Sequence, residues 1–154
     1  MKEQLVKPFL KALQDILNQI TGMSMEIIDT NNNADKCFTK DVAIMIGITG
    51  QLEGQTIINL DETLAKVIAS NMMGGMTVTE LDEISKSAVA ELGNMVLGNA
   101  AIQLSNEGCI IDITPPTLVT KEVNYQVIEN QPIVSTVLQN NFGEIEMNLA
   151  LKVK

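Results

Sequence analysis

A chain of 154 residues, 45% hydrophobic and 19% charged, can bury roughly 70% of its unfolded surface in one domain, expected to span 1–154. It has no His, no Trp and, because all ten basic residues are Lys, no Arg; this excludes Ser-His-Asp and Cys-His nucleophile systems, Cys/His zinc sites and an imidazole general base. Nineteen acids give a net charge of -9, so nucleic acid and anionic membrane surfaces are not expected as partners.

The first segment places Leu5, Val6, Phe9, Leu10, Leu13, Ile16, Leu17 and Ile20 at helical spacing, which predicts an amphipathic helix ending at Gly22, with Pro8 near its start. Met25 to Ile28 reads as a short strand, and the polar run Thr30 to Lys36 reads as a loop. Val42 to Ile48 and Gln55 to Leu60 read as two strands joined across Gly50 to Gly54, a hairpin. The apolar run 42–48 is far short of the ~20 residues that span a bilayer, and the start Met-Lys-Glu carries no signal-peptide core, so a cytoplasmic chain is expected.

Two helices follow. One runs from Asp61 to Met73 and stops at Gly74-Gly75; the other is expected to begin at Thr79, with Asp82 as its capping-box partner, and to last until Gly108. Cys109 to Ile113, Thr117 to Tyr125, Pro132 to Leu138 and Glu144 to Val153 then read as strands, with Pro115-Pro116 separating the first two. This order predicts an α+β fold with helices packed on an antiparallel or mixed sheet. Cys37 and Cys109 have no CxxC spacing and read as reduced packing thiols, a reactive cysteine being the alternative.

An internal repeat runs through the chain. Leu52 to Leu60 resembles 141–149 at an offset of 89, and Ile27-Ile28-Asp29 resembles Ile110-Ile111-Asp112 at an offset of 83, which suggests a duplicated helix, strand and hairpin. Chance similarity between hairpins is the competing explanation.

On the long helix Ile84, Ala88, Leu92 and Met95, widened by Val89 and Val96, form an apolar arc expected to face the core. Beside it Ser87, Glu91, Asn94 and Gly98 follow at spacings of 4, 3 and 4 and therefore share one face. A carboxylate and a carboxamide one turn apart, flanked by Gly93 and Gly98, make a polar anchor that another surface can approach closely. A helix face that is merely solvated offers the same residue types, so the spacing alone leaves both readings open.

With that motif on the page, the chain resembles the CheC/CheX/FliY family of chemotaxis phosphatases, whose signature is an acidic or Ser residue, three residues, Glu, two residues, Asn, and a Pro some twenty residues later. Ser87, Glu91 and Asn94 fit it, and Pro115 and Pro116 stand 21 and 22 residues beyond Asn94. Ile46 to Gly50, Glu53-Gly54, Met72 to Met76, Leu81 to Glu83, Glu91 to Met95 and Asp112 to Thr117 look like the CheX branch in the same order, so essentially the whole chain is covered. Members with two sites carry the signature on both repeated helices; here an offset of 83 places Gln4, Pro8 and Lys11 at the other positions, which implies a single site.

The resemblance implies a phosphatase that hydrolyses the aspartyl phosphate of a CheY-type response regulator. It implies Asn94 as the residue that orients the attacking water, Glu91 as the carboxylate that pairs with the regulator's Lys, and Ser87 and Gly98 as lining the contact. It implies Mg2+ supplied by the regulator, no cofactor held by this chain, and pairing into a homodimer, with 132–138 or the C-terminal strand as the edge. A non-catalytic adaptor docking on a chemotaxis or flagellar partner, through a sheet edge or Met72, Met73 and Met76, is the second reading. An enzyme for a small phosphoester is a distant third, for want of Arg or a metal.

Overall fold

In the computed structural model, which describes residues 3–22, 24–38, 40–120 and 126–154, three helices pack on one face of a seven-stranded sheet. The first helix, α1 (Glu3–Thr21), buries Val6, Phe9, Ala12, Leu13, Ile16 and Leu17 and ends against Gly22 at φ +72°, as its periodicity predicts. Pro8 lies in its second turn and does not interrupt it.

The polar segment expected as a loop is instead the strand β1 (Glu26–Phe38), paired antiparallel with β6 (Gln126–Asn140) at one end of the sheet. Run of asparagines or not, an edge strand needs one partner and no apolar alternation, and the β1–β6 register shifts four times along its length. The predicted hairpin is β2 (Val42–Gly50) and β3 (Leu52–Leu60), turning more tightly than expected at Gln51.

Next come α2 (Glu62–Met72), α3 (Glu83–Asn106), β4 (Ile111–Ile113), β5 (Thr117–Thr120) and β7 (Gly143–Val153). Residues 121–125, the end of one expected strand, lie outside the described residues, as does the side chain of Cys37; Cys109 is a half-buried free thiol.

The strand order is β1-β6-β7-β3-β2-β4, with β5 also on β2, and every pairing is antiparallel. The duplicated unit is visible in it. The hairpin strands β3 and β7 meet at the centre, from Leu52 opposite Val153 to Leu60 opposite Ile145. Each unit's leading strand pairs with the other unit's hairpin, β1 with β6 and β4 with β2. The helices agree as well: buried Val6, Phe9, Leu13 and Leu17 of α1 correspond, 83 residues on, to buried Val89, Leu92, Val96 and Ala100 of α3.

The core lies between the helices and the even-numbered residues of β2 and β3, including Ile44, Ile46, Ile48, Leu52, Ile58 and Leu60. The helix-free face holds a small apolar cluster of Ala43, Ile57, Ile133 and Ala150 and, beside it, a polar network. There Glu146 Oε1 accepts from the Nδ2 atoms of Asn59 (3.2 Å) and Asn148 (3.0 Å), and Oε2 accepts from Lys40 Nζ (2.8 Å). Ser135 Oγ donates to Asn148 Oδ1 at 2.6 Å, and the Lys40 backbone N–H donates to Asn59 Oδ1 at 3.2 Å. Asn59 and Asn148 are 1% and 2% exposed, so these bonds replace water that neither amide can reach.

Burial alone would raise the Glu146 pKa, but the hydrogen bonds from Lys40, Asn148 and Asn59, with the Lys40 charge, outweigh it and hold the pKa below the ordinary value. Because the folded pKa is the lower one, the stabilisation is complete above the unfolded pKa and is lost as pH falls through the folded one. Urea titrations should therefore show stability falling below about pH 4.3, the ordinary Glu value. Glu146→Gln should flatten that fall and cost about 1–2 kcal/mol at pH 7; an unchanged acid limb would remove Glu146 from this role.

Candidate functional site

The register of α3 is set at its first turn. Asp82, extended at φ -82° and ψ -176°, is the N-cap: its Oδ1 accepts from Ser85 N at 2.9 Å and from Ser85 Oγ at 2.7 Å. The start at Thr79 is thus corrected by four residues, because Ser85, three positions inside the helix, completes the cap that Asp82 begins. The Ser85 backbone and hydroxyl bonds hold the Asp82 carboxyl below its usual pKa.

The same helix corrects the expected apolar arc. Val89, Leu92 and Val96 are buried, Ala88 and Met95 half-buried, but Ile84 is 67% exposed. The buried face is centred instead on Val89, Gly93, Val96, Leu97, Ala100 and Leu104, because α3 contacts α1, α2 and β2 together and a wider sector is covered. A Cβ on Gly93 would lie 2.7 Å from Ile44 Cγ2 and 3.1 Å from Ile46 Cδ1. Gly93 therefore serves the approach of α3 to its own sheet, not to a second molecule. Around Gly98 nothing lies within 4 Å of a Cβ position, so that glycine does leave the surface open.

Opposite the buried face stand the four residues of the motif: Ser87 and Glu91 exposed, Asn94 and Gly98 half-buried. They occupy about 16 Å measured along the axis from Ser87 to Gly98 and a single solvent-facing sector. Among the described residues neither the Glu91 carboxylate nor the Asn94 amide has a side-chain hydrogen bond or ion pair within the chain. One turn further on, by contrast, Gln103 Nε2 donates to Asn99 Oδ1 at 2.7 Å and the two amides occupy each other. The motif therefore presents an acceptor-only carboxylate and a donor-acceptor carboxamide, both uncommitted, on a helix fixed by its cap and its core face.

Pro115 and Pro116 lie in the connection from β4 to β5, both of which pair with β2. Thr114 fastens that connection: its N–H donates to Gly47 O at 3.0 Å and its hydroxyl accepts from Gly47 N at 2.8 Å. Gly47 follows Ile46, on which Gly93 packs, so the proline turn and Asn94 are both referenced to one stretch of β2. The positions matched in α1 are exposed Gln4, buried Pro8 and exposed Lys11, which line a groove of ≈ 990 Å³ with Lys7 and Gln103 but offer no Glu and no Asn.

Among the described residues no group of three His, Cys, Asp or Glu side chains is placed to hold a metal ion, and no helix is long and apolar enough to cross a membrane. The Asn59, Glu146 and Asn148 network lies outside the motif that the sequence marks as functional. Its signal was there, since Asn59 and Asn148 are the matched asparagines of the repeat, each interrupting an apolar strand.

Similarity to known proteins extends over the whole chain. The family model described as "Chemotaxis phosphatase CheX" matches residues 42–138. The CheY-P phosphatase CheX of Thermotoga maritima is 32% identical over 158 residues, spanning 100% of this chain and 98% of that protein. A CheC-like superfamily protein from Shewanella sp. PV-4 superposes with a TM-score of 0.86 at 26% identity, covering 99% of both chains. CheX of Borrelia burgdorferi, solved in a complex with CheY, BeF3 and Mg2+, superposes with a TM-score of 0.75 at 25% identity, covering 96% of this chain and 97% of that one. A match of this extent, to a fold whose α3 carries the signature on its open face, makes the chain a member of the CheX family of chemotaxis phosphatases.

Proposed function

We propose that the chain hydrolyses the aspartyl phosphate of a CheY-type response regulator, with Asn94 orienting the attacking water and Glu91 docking on the regulator's active-site lysine. The observation that carries this reading is the uncommitted carboxylate and amide on the open face of α3, in a chain of this family. The chemistry asks for little more. An acyl phosphate has a good leaving group, the transition state of phosphoryl transfer is loose, and placing water in line with phosphorus can contribute several kcal/mol. Mg2+, brought by the regulator, neutralises the phosphoryl oxygens; this chain's part is to bind, to orient and to exclude stray water.

Asn94 suits the positioning role because its amide can accept from one hydrogen of water and donate elsewhere, and because a neutral group does not repel the phosphoryl oxygens. Glu91, one turn earlier, gains little from a solvent-exposed ion pair but more once the partner covers it. Ser87 and Gly98 border the contact, the one with a hydroxyl and the other by leaving space.

Glu91→Ala should raise KM for the phosphorylated regulator about tenfold and lower kcat as well, since the helix loses both a contact and its orientation. Unchanged values of both would remove Glu91 from the interface. The adaptor reading rests on Met76, which is 61% exposed, whereas Met72 and Met73 pack against the core. Pull-downs against phosphorylated and unphosphorylated regulator separate the two: a phosphatase prefers the former and turns it over, an adaptor binds both alike and is indifferent to Asn94→Ala.

A further inference from the structure

Two large apolar side chains stand on the same open helix with nothing over them: Ile84 is 67% exposed and Ile102 65%. Isolated exposed isoleucines are ordinary on protein surfaces. These two are not placed at random, since 102 minus 84 is 18 residues, five helical turns, which puts them in one row about 27 Å apart. Glu91 and half-buried Met95 lie within about 20° of that row, on either side of it. Neither isoleucine contributes to the core, and a β-branched residue is a poorer helix former than the Glu, Lys or Gln that solvent-facing positions usually hold.

We infer that Ile84 and Ile102 are the apolar anchors through which α3 binds the response regulator, set at either end of the polar pair. The inference rests on the phosphatase reading, because that reading fixes what covers the face. If Asn94 enters a partner's active site, the partner's surface lies against α3 around it. A standard interface buries about 800 Å2 per partner, a patch roughly 30 Å across, so one centred on Asn94 reaches about 15 Å each way. Ile84 is ten residues and Ile102 eight residues from Asn94, about 15 Å and 12 Å along the axis, and both fall at the margins of that patch.

Composition strengthens the choice of these residues. Interface anchors are most often Trp, Tyr or Arg, and this chain has no Trp, no Arg and one Tyr, at position 125, which is outside the described residues. Aliphatic side chains are what the helix has for the task. Glu91, the only charge in the row, then selects and orients the partner, while the isoleucines supply apolar burial that a screened surface ion pair lacks.

The test uses Ile84→Gln, Ile102→Gln and the double variant, with two readouts: Kd for a CheY-type regulator loaded with BeF3 and Mg2+, and steady-state dephosphorylation of the phosphorylated regulator. Each single change should weaken Kd and raise KM about tenfold, the pair more, with kcat within twofold and the melting temperature unchanged because the side chains are already in water. A double variant that binds within twofold of wild type overturns the inference, even if Asn94→Ala abolishes turnover and the phosphatase reading stands. Wild-type binding without accelerated hydrolysis sinks the phosphatase reading and leaves the anchors in place if the double variant loses that binding. A wild-type chain that self-associates through this face, seen as a mass that falls in the double variant while regulator affinity stays the same, overturns the inference in favour of a second copy as the occupant.

Discussion

Asn94→Ala should abolish most of the acceleration of regulator dephosphorylation, lowering kcat by about 100-fold or more while Kd for the regulator stays within about threefold. The expected split follows from the geometry. Among the described residues the Asn94 side chain makes no hydrogen bond or ion pair, so its loss orphans no partner there, and the cap at Asp82 and the packing at Gly93 hold the helix as before. On the proposed reading what goes is the group that places water, an interaction felt only when the phosphoryl group is being transferred, and such interactions appear in kcat rather than in affinity. Asn94→Asp is the sharper control. It preserves size and one oxygen but brings a negative charge toward phosphoryl oxygens, so it should be no more active than Asn94→Ala. Single-turnover decay at saturating chain, with melting temperature measured in parallel, checks both variants; a kcat within threefold of wild type for Asn94→Ala would remove the amide from the reaction.

Gly93→Val is expected to be the most damaging change for the fold, at about 2–4 kcal/mol, because the first carbon alone meets Ile44 Cγ2 at 2.7 Å and a branched side chain adds two more atoms to the same space. Ile44 is itself buried at 0% exposure and has nowhere to retreat. Either α3 lifts from β2, carrying Glu91 and Asn94 with it, or the sheet bends. Gly98→Ala, five residues further along the same helix, should do the opposite and stabilise by about 0.5–1 kcal/mol, since its Cβ would meet nothing within 4 Å. The same methyl group should weaken regulator binding if Gly98 keeps the approach open. Urea midpoints for the pair give the check, and equal midpoints would mean that α3 does not depend on close contact with β2.

Much of the architecture was legible in periodicity. The α1 stripe, the β2–β3 hairpin and the α2 helix follow from spacing that is dictated locally, and the repeat found at offsets of 83 and 89 reappears as two interlocked units around β3 and β7. What periodicity could not supply was set by tertiary contact. The run Thr30 to Lys36 has the composition of a loop and becomes strand because β6 offers it a ladder at the sheet's edge. The apolar arc expected on α3 is displaced because α1, α2 and the sheet together cover the helix, so that glycine and alanine are buried while Ile84 is not. The motif itself could be read as a helical face from its spacing alone. That the face is uncommitted, and that Gly93 looks inward while Gly98 looks outward, required the packing.

The absence of His and Arg, which excludes triads, zinc sites and phosphate clamps in this chain, is compatible with hydrolysis when the partner brings the electrophile and its metal. The direct measurement is the decay of a phosphorylated CheY-type regulator, in Mg2+, with the chain at one-tenth of its concentration. The account predicts decay several times faster than the regulator's own rate, continuing through many turnovers and lost with Asn94→Ala. Decay at the same rate with and without the wild-type chain, under conditions where the two are shown to bind, would contradict it.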